Sequence, residues 1–223
     1  MAEHRQEFEH ELEAIEARII ELFAIVAEDL PEATNALLTG NNEILQRLTE
    51  RDKTISALYP ETEQLANREI LLQAPVADDL RFLLSVLRVL TEFELSHDLV
   101  MQIATRGNHF LGEDLTPRTR GIVERTGSVA SDMWREAADC WYQRDRSAAL
   151  ALAERDDEMD QLYSSLIGEL ASGQMALPVT MEMTLVARFY ERLGDHAVTI
   201  ARRVVYLAGP TPEASPPQAP PSQ

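Results

Sequence analysis

The first stretch of the chain places its hydrophobic residues with the period of a helix. From Phe8 onward they follow steps of three and four, at Leu12, Ile15, Ile19, Leu22 and Val26. This spacing predicts a helix that packs against neighbouring helices along one side. Pro31 predicts a break or kink in that helix, because proline lacks the amide hydrogen and clashes with the preceding turn.

The same period continues through the rest of the chain, and strand signals are nearly absent. Corners rich in Gly, Pro, Asn or Asp separate five further predicted helices, at about residues 43–73, 76–107, 117–142, 147–172 and 178–208. Pro60 predicts a kink in the second predicted helix. Thr116 and Ser147 are predicted N-caps, because their hydroxyl groups can accept hydrogen bonds from the free amides of a first turn.

The third predicted helix is apolar on two sides. Leu83 and Leu90 lie on one side, and Val86 and Phe93 lie on the other. A helix that is wet on one face would not need both, so we expect it to be buried between neighbours or at a subunit contact. This pattern favours a homodimer.

Polar residues reveal an internal repeat. In the last predicted helix Glu191, Asp195 and Thr199 recur every four residues, and they form one oxygen-bearing row opposite the apolar side. A second such row begins 97 positions earlier, with Glu94 and Asp98 followed by Gln102. Each row belongs to the third helix of a set of three, and short connections make successive helices antiparallel.

The predicted fold is therefore all-α, with two tandem antiparallel three-helix bundles. We expect the first bundle to span residues 1–108 and the second to span residues 109–209. Residues 210–223 are rich in proline and poor in apolar residues, so we expect a disordered tail there.

Residue counts across the last hairpin bring carboxylates to the same heights. Asp160 lies 15 residues before Met175 and Glu191 lies 16 after it, while Asp156 lies 19 before and Asp195 lies 20 after. If both rows face the same way, the four carboxylates converge and repel one another, which either protonation or a multivalent cation relieves. Oxygen-only ligands favour hard cations such as calcium, magnesium, manganese or oxidised iron.

The first repeat offers a poorer version of this site. Asp52 lies 22 residues before Ala74 and Glu94 lies 20 after it, but the residue four positions beyond Asp52 is Ser56. We expect weaker binding there. The predicted metal ligands are thus Asp156, Asp160, Glu191 and Asp195 in the second repeat and Asp52, Glu94 and Asp98 in the first.

Other interpretations of these polar residues stay open. Acidic rows on helices are often only solvated faces. His97 and His196 adjoin the motif aspartates about 100° round the helix, so we expect them to lie beside the metal ligands or on the surface rather than to bind the metal themselves. Trp134, Trp141 and Cys140 are predicted to be packed in the core or at an interface.

Composition narrows the function and the compartment. A formal charge of −18 repels nucleic acid and anionic lipid, which makes cations and basic protein patches the natural partners. The single cysteine excludes an internal disulfide, and no stretch is long and apolar enough for a membrane span. Because the N-terminus is charged where a signal peptide would be apolar, we expect a cytoplasmic protein that meets membranes only through partners.

Three segments carry a family resemblance. They are Glu191-Arg192-Leu193-Gly194-Asp195-His196-Ala197-Val198, Gln73-Ala74-Pro75-Val76-Ala77-Asp78-Asp79-Leu80-Arg81, and residues Asp156 to Tyr163. The first is close to the E-R-I-G-D-H-A pattern of the PhoU family of phosphate-signalling proteins, and the resemblance covers about residues 8–208. It implies a pair of three-helix bundles, with multinuclear iron or other metal clusters on the acidic motifs of some members.

This resemblance also implies a non-enzymatic role. It predicts a regulator of phosphate uptake and a negative regulator of the phosphate-starvation response. Such a regulator is an adaptor between the phosphate-specific ABC transporter, through its ATPase subunit, and a sensor histidine kinase. The chain departs from the pattern at the third motif position, where Gln102 and Thr199 replace Asn or Asp, and within Glu94-Leu95-Ser96-His97-Asp98, where Arg-Ile-Gly is expected between the acids.

Two alternatives are unrelated to phosphate. One is a carboxylate-bridged di-metal oxidase or metal-storage bundle, which usually has a Glu-x-x-His pair on each of two helices. Here the motif acids are spaced by four with a histidine next to each aspartate, so the pattern disfavours that chemistry. The other is a purely structural or cation-binding helical module.

Overall fold

The computed structural model describes residues 2–107 and 114–209 of the chain. The predicted boundary between bundles and the predicted tail at 210–223 lie outside the described residues. Every regular element of the described part is a helix, which confirms the all-α prediction. The helices are Ala2–Thr39 (α1), Asn42–Gln73 (α2), Ala77–Arg106 (α3), Pro117–Gln143 (α4), Arg146–Glu154 (α5), Asp156–Leu170 (α6) and Leu177–Leu207 (α7).

The helices pack as two three-helix bundles placed side by side. α1, α2 and α3 all contact one another, and α7 contacts α4, α5 and α6. The two bundles join along α1 with α4 and along α3 with α7, so these four long helices form a central ring. α2 flanks the ring on one side, and α5 and α6 flank it on the other. The predicted tandem bundles are confirmed.

Aromatic side chains fill the middle of this ring. The Phe23 and Phe93 rings meet edge to face with centroids 4.7 Å apart, and the Phe93 and Trp134 centroids are 5.7 Å apart. Trp134 and Trp141 are fully buried, as predicted. Because Phe23 belongs to α1, Phe93 to α3 and Trp134 to α4, the two repeats share one core.

Packing against other helices of the same chain explains why α3 is apolar on two sides. Leu83 and Leu90 on one side and Val86 and Phe93 on the other are all buried, and α3 packs against α1, α2 and α7. Burial between neighbours is therefore confirmed. This feature no longer favours a subunit contact, and the homodimer stays a prediction.

Neither of the two prolines ends its helix, and one predicted cap differs from the structure. α1 and α2 run without a break through Pro31 and Pro60. Each proline removes one backbone hydrogen bond, but the long helices are held by packing against neighbours on more than one side. The predicted cap Ser147 is wrong: the cap is Asp145, whose carboxylate accepts hydrogen bonds from the amides of Ser147 and Ala148. Thr116 is confirmed as a cap, since its hydroxyl accepts from the Thr119 amide.

The single fifth helix that the sequence predicts is two helices, α5 and α6. At the junction the Arg155 amide donates to the Leu152 carbonyl over 3.1 Å, and the Glu158 amide donates to the Arg155 carbonyl over 3.1 Å. Both bonds span three residues rather than four, which is the tighter 3₁₀ pattern. Arg155 is held there by an ion pair with Glu136 of α4.

Candidate functional site

The acidic row of α7 lies beside α6, and the surface that these two helices form is named the α6–α7 groove. The opposite side of α7 is buried through Leu193, Ala197 and Ile200, so its packing against the ring orients the row. Gly194 lets the two helices approach closely: a Cβ atom there would lie 3.1 Å from Met159 Cγ and 3.4 Å from Asp156 Oδ1. The carboxylate of Asp156 therefore lies against the α7 backbone, next to the motif residue Asp195.

The charges of the four second-repeat carboxylates influence one another between α6 and α7. The pKa of Asp156 is raised, first by burial and then by the charges of Asp195 and Asp160. The pKa of Glu191 is raised by burial and by Asp195 and Asp160, while its neighbour Arg188 opposes the shift. Asp156 is thus opposite Asp195 and Asp160 is near Glu191, at the heights that the residue counts predict.

The carboxylates of this groove do not converge as closely as metal ligands do. Within the described ranges, no three His, Cys, Asp or Glu side chains are placed so that they could hold a metal ion as they stand. Glu191 Oε1 lies 2.5 Å from Arg188 Nη1, and Glu191 Oε2 is buried without a hydrogen-bond partner. Four carboxylates, one of them with a buried oxygen that has no hydrogen-bond partner, are ligands of the type that a hard cation prefers. The exposed side chains of Asp160 and Asp195 would have to rotate for all four to reach one ion.

The predicted first-repeat ligands lie around a small pocket between α2 and α3. Asp52, Glu94 and Asp98 line a pocket of about 110 Å³ together with Ser56, Tyr59, Ile55 and His97. Glu94 and Asp98 are exposed, and Asp52 is half-buried. The three acids are therefore near one another, but no second acid of α2 joins Asp52.

Sequence reasoning missed a buried polar cluster beside this pocket. His97 is almost fully buried, with Nδ1 3.2 Å from Asp52 Oδ1 and Nε2 3.4 Å from Asp29 Oδ2. Asp29 is fully buried and lies 2.8 Å from Arg51 Nη2. The signal was available, because Asp29 continues the apolar seam of α1 seven residues after Leu22, and an acid at a core position needs a partner.

His196 has a structural role rather than a role as a ligand. Its Nδ1 lies 2.7 Å from the Ser96 hydroxyl in a buried hydrogen bond that joins α7 to α3, and so joins one repeat to the other. Burial, with the nearby charge of Arg192, lowers the pKa of His196 to about 4. The ring is therefore neutral at pH 7 and faces away from the α6–α7 groove.

The oxidase alternative gains no support from these histidines. Glu94 and His97 do have the Glu-x-x-His spacing on α3, but the position in α7 that corresponds to His97 is Gly194. Two such helices are needed to hold a di-metal centre. His97, moreover, is engaged by Asp29 and Asp52.

The structure also bears on Cys140 and on the prediction that no segment spans a membrane. Cys140 is buried, and burial raises the pKa of its thiol, so it is a packed and unreactive cysteine. Across residues 2–107 and 114–209, no helix is both long enough and apolar enough to cross a membrane.

Comparisons with known proteins identify the family. The family model described as the PhoU domain matches twice, at residues 19–107 and 123–204, which are the two bundles. The chain is 32% identical over 205 residues to the phosphate-specific transport system accessory protein PhoU homolog of Zymomonas mobilis, covering 90% of this chain and 86% of that protein.

Two solved structures have the same fold. The crystal structure of PhoU from Pseudomonas aeruginosa superposes with a TM-score of 0.84 at 28% identity, covering 90% of this chain and 98% of that one. The phosphate transport system regulatory protein PhoU from Streptococcus pneumoniae superposes with a TM-score of 0.79 at 24% identity, covering 91% and 97%. The relatives are accessory and regulatory proteins, which confirms that this is not an enzyme family. By its duplicated domain, its fold and its sequence, the chain belongs to the PhoU family and is an accessory protein of phosphate transport.

Proposed function

We propose that this protein limits phosphate uptake and restrains the phosphate-starvation response from the cytoplasm. It would do so as an adaptor between the ATPase subunit of the phosphate-specific ABC transporter and a sensor histidine kinase. Similarity along nearly the whole chain to accessory proteins of the phosphate-specific transport system supports this proposal. A chain with a formal charge of −18 repels nucleic acid, which is consistent with protein partners.

The observation that carries the mechanism is the groove between α6 and α7. Asp156, Asp160, Glu191 and Asp195 place their charges together on facing helices, and the pKa values of Asp156 and Glu191 are raised by that crowding as well as by burial. Such a surface changes its charge when a cation enters. Because charge complementarity controls association with a basic patch, cation occupancy would control which partner binds.

The cation would be a hard one, held by the four groove carboxylates. Iron or another divalent or trivalent metal is the group that the family resemblance implies. Its role here is to remove negative charge from one face of the protein rather than to perform a reaction.

Binding measurements with the two proposed partners test this function. The purified protein is titrated with the solubilised transporter ATPase subunit and with the kinase, each with and without added Mn²⁺. The double variant Glu191→Gln/Asp195→Asn should abolish the effect of Mn²⁺ on binding. The matched control Glu13→Gln/Glu21→Gln changes two exposed carboxylates of α1 and should leave that effect intact.

Two results would contradict the proposal. Failure of the wild-type protein to bind either partner removes the adaptor role. Equal Mn²⁺ dependence in the wild type and in the groove variant removes the electrostatic mechanism and leaves the adaptor role standing.

A further inference from the structure

The two acidic motifs differ at the residue directly before the aspartate. In α7 this residue is Gly194, and in α3 it is His97. At Gly194 the absence of a side chain leaves the space between the helices to the Asp156 carboxylate, whose Oδ1 is 3.4 Å from where a Cβ would be. At His97 the same space between α3 and α2 holds an imidazole ring.

That ring engages the carboxylate which α2 contributes to the pocket. His97 Nδ1 lies 3.2 Å from Asp52 Oδ1, and the side chain of His97 is only 3% exposed. The residue counts place Asp52 near Glu94, and Asp52 occupies the position in α2 that Asp156 occupies in α6. In the first repeat, therefore, the carboxylate that should face the motif acids faces a histidine of the same motif.

The other side of the ring lies near a buried acid of α1. His97 Nε2 lies 3.4 Å from Asp29 Oδ2, and Asp29 is 0% exposed. Arg51 Nη2 lies 2.8 Å from Asp29 Oδ1 and 2.6 Å from Glu32 Oε2. The contacts of Asp29 are charge contacts rather than hydrogen bonds, because neither oxygen of Asp29 nor Nε2 of His97 has a hydrogen-bond partner. A buried carboxylate is costly without an opposite charge, and Arg51 supplies one to Asp29.

The first repeat is left with too few oxygen ligands for a hard cation. Glu94 and Asp98 are exposed acids of one helix, and Ser56 stands where the second repeat has Asp160. Calcium takes six to eight oxygen ligands and magnesium takes six, several of them from water, and here the carboxylate of Asp52 is already in contact with His97.

We infer that His97 closes the first repeat to metal, so that the chain takes its cation in the second repeat alone. This inference refines the proposed function, on which it rests for the class of ligand. It makes the two halves of a duplicated scaffold different: the α6–α7 groove changes charge with cation supply, while the α2–α3 pocket keeps the same charge.

Counting bound Mn²⁺ per chain tests this inference. Bound Mn²⁺ is measured by electron paramagnetic resonance in the wild type and in four variants. Glu94→Gln/Asp98→Asn should leave the wild-type count unchanged, and Glu191→Gln/Asp195→Asn should abolish it. His97→Gly should bind additional Mn²⁺, and adding Glu94→Gln/Asp98→Asn to His97→Gly should remove that addition. His97→Ala, which keeps the better helix former, is used in the same way if His97→Gly does not fold.

The outcomes separate two claims, the closure of the first repeat by His97 and the cation site of the second repeat. A lower count in Glu94→Gln/Asp98→Asn, or no additional Mn²⁺ in a folded His97 variant, overturns the closure by His97. Gain of Mn²⁺ by a His97 variant when the wild type binds none supports the closure and contradicts the second-repeat cation site of the proposed function.

Discussion

Crowded carboxylates in the α6–α7 groove should destabilise the metal-free protein. Burial and the charges of Asp195 and Asp160 raise the pKa of Asp156, so its ionised form is disfavoured in the folded state. Asp156→Asn should therefore increase the free energy of unfolding at pH 7 by roughly 0.5 kcal/mol, a size that suits a partly exposed charge. Chemical denaturation in the presence of a chelator measures it.

Asp157→Asn is the matched control for this change. Asp157 is exposed, lies in the same first turn of α6 and undergoes the same substitution. The charge of Asp157 raises the pKa of Asp156 less than the charges of Asp195 and Asp160 do. Because an acid in the first turn also interacts favourably with the helix N-terminus, Asp157→Asn should be neutral or slightly destabilising. Equal effects of the two substitutions would show that groove repulsion is absent.

Buried His196 should make the protein sensitive to acid. Its pKa is lowered by burial to about 4 in the folded state, whereas the unfolded chain takes up the proton near pH 6.5. The unfolded state then binds more protons between these values, so stability falls as pH drops from about 6.5 towards 4, by at most about 3 kcal/mol. His196→Gln cannot titrate there and can still bond to Ser96.

Denaturation midpoints at several pH values measure this effect. The variant should lose less stability than the wild type between pH 6.5 and 4. Parallel losses in both proteins would mean that other groups, and not His196, set the acid sensitivity.

At the residue scale, the number of residues between a side chain and the turn predicts which side chains meet better than the residue type does. The pairing of Asp156 with Asp195 follows from equal distances to the turn, because α6 and α7 form an antiparallel hairpin. The roles of His97 and Asp29 were missed, since each depends on a third helix whose register no hairpin count supplies. The apolar spacing of α1 nevertheless predicts that Asp29 is an acid at a core position.

Close helix approach explains one glycine in α4. A Cβ at Gly127 would lie 2.4 Å from Thr34 Oγ1 of α1. Thr34 cannot easily move, because its hydroxyl donates to the Leu30 carbonyl and lies 2.7 Å from the Tyr190 hydroxyl of α7. Gly127→Ala should therefore destabilise the protein by about 1–3 kcal/mol despite the better helix propensity of alanine.

Gly121 offers the control in the same helix. A Cβ at Gly121 would meet nothing within 4 Å, so Gly121→Ala should stabilise the protein by up to about 1 kcal/mol. Thermal denaturation of both variants compares them directly. Stabilisation by Gly127→Ala would show that α1 and α4 do not pack as described.

At the element scale, helix positions were predictable and their irregularities were not. Apolar periodicity and turn residues located the long helices to within a few residues. The interruption at Arg155 has no Gly or Pro from which to predict it, and Arg155 forms an ion pair with Glu136 of another helix. Pro31 looked like a break, but α1 is held by packing against α2, α3 and α4 and passes through it.

At the scale of the whole molecule, duplication predicts two bundles but not how they join. Residue counts from the turn of each hairpin predict which residues of α2 and α3, or of α6 and α7, lie at the same height. They do not set the contacts of α1 with α4 or of α3 with α7, where the shared core lies. Those contacts place the two acidic motifs on one pair of adjacent helices, with the Ser96–His196 hydrogen bond between them.

The regulatory assignment is tested most directly in cells that lack the gene and grow in excess phosphate. Phosphate uptake and the expression of phosphate-starvation genes are measured together. The account predicts that both rise several-fold towards starved levels, and that a wild-type copy of the gene restores repression. Uptake and expression that remain repressed in the deletion strain would contradict it.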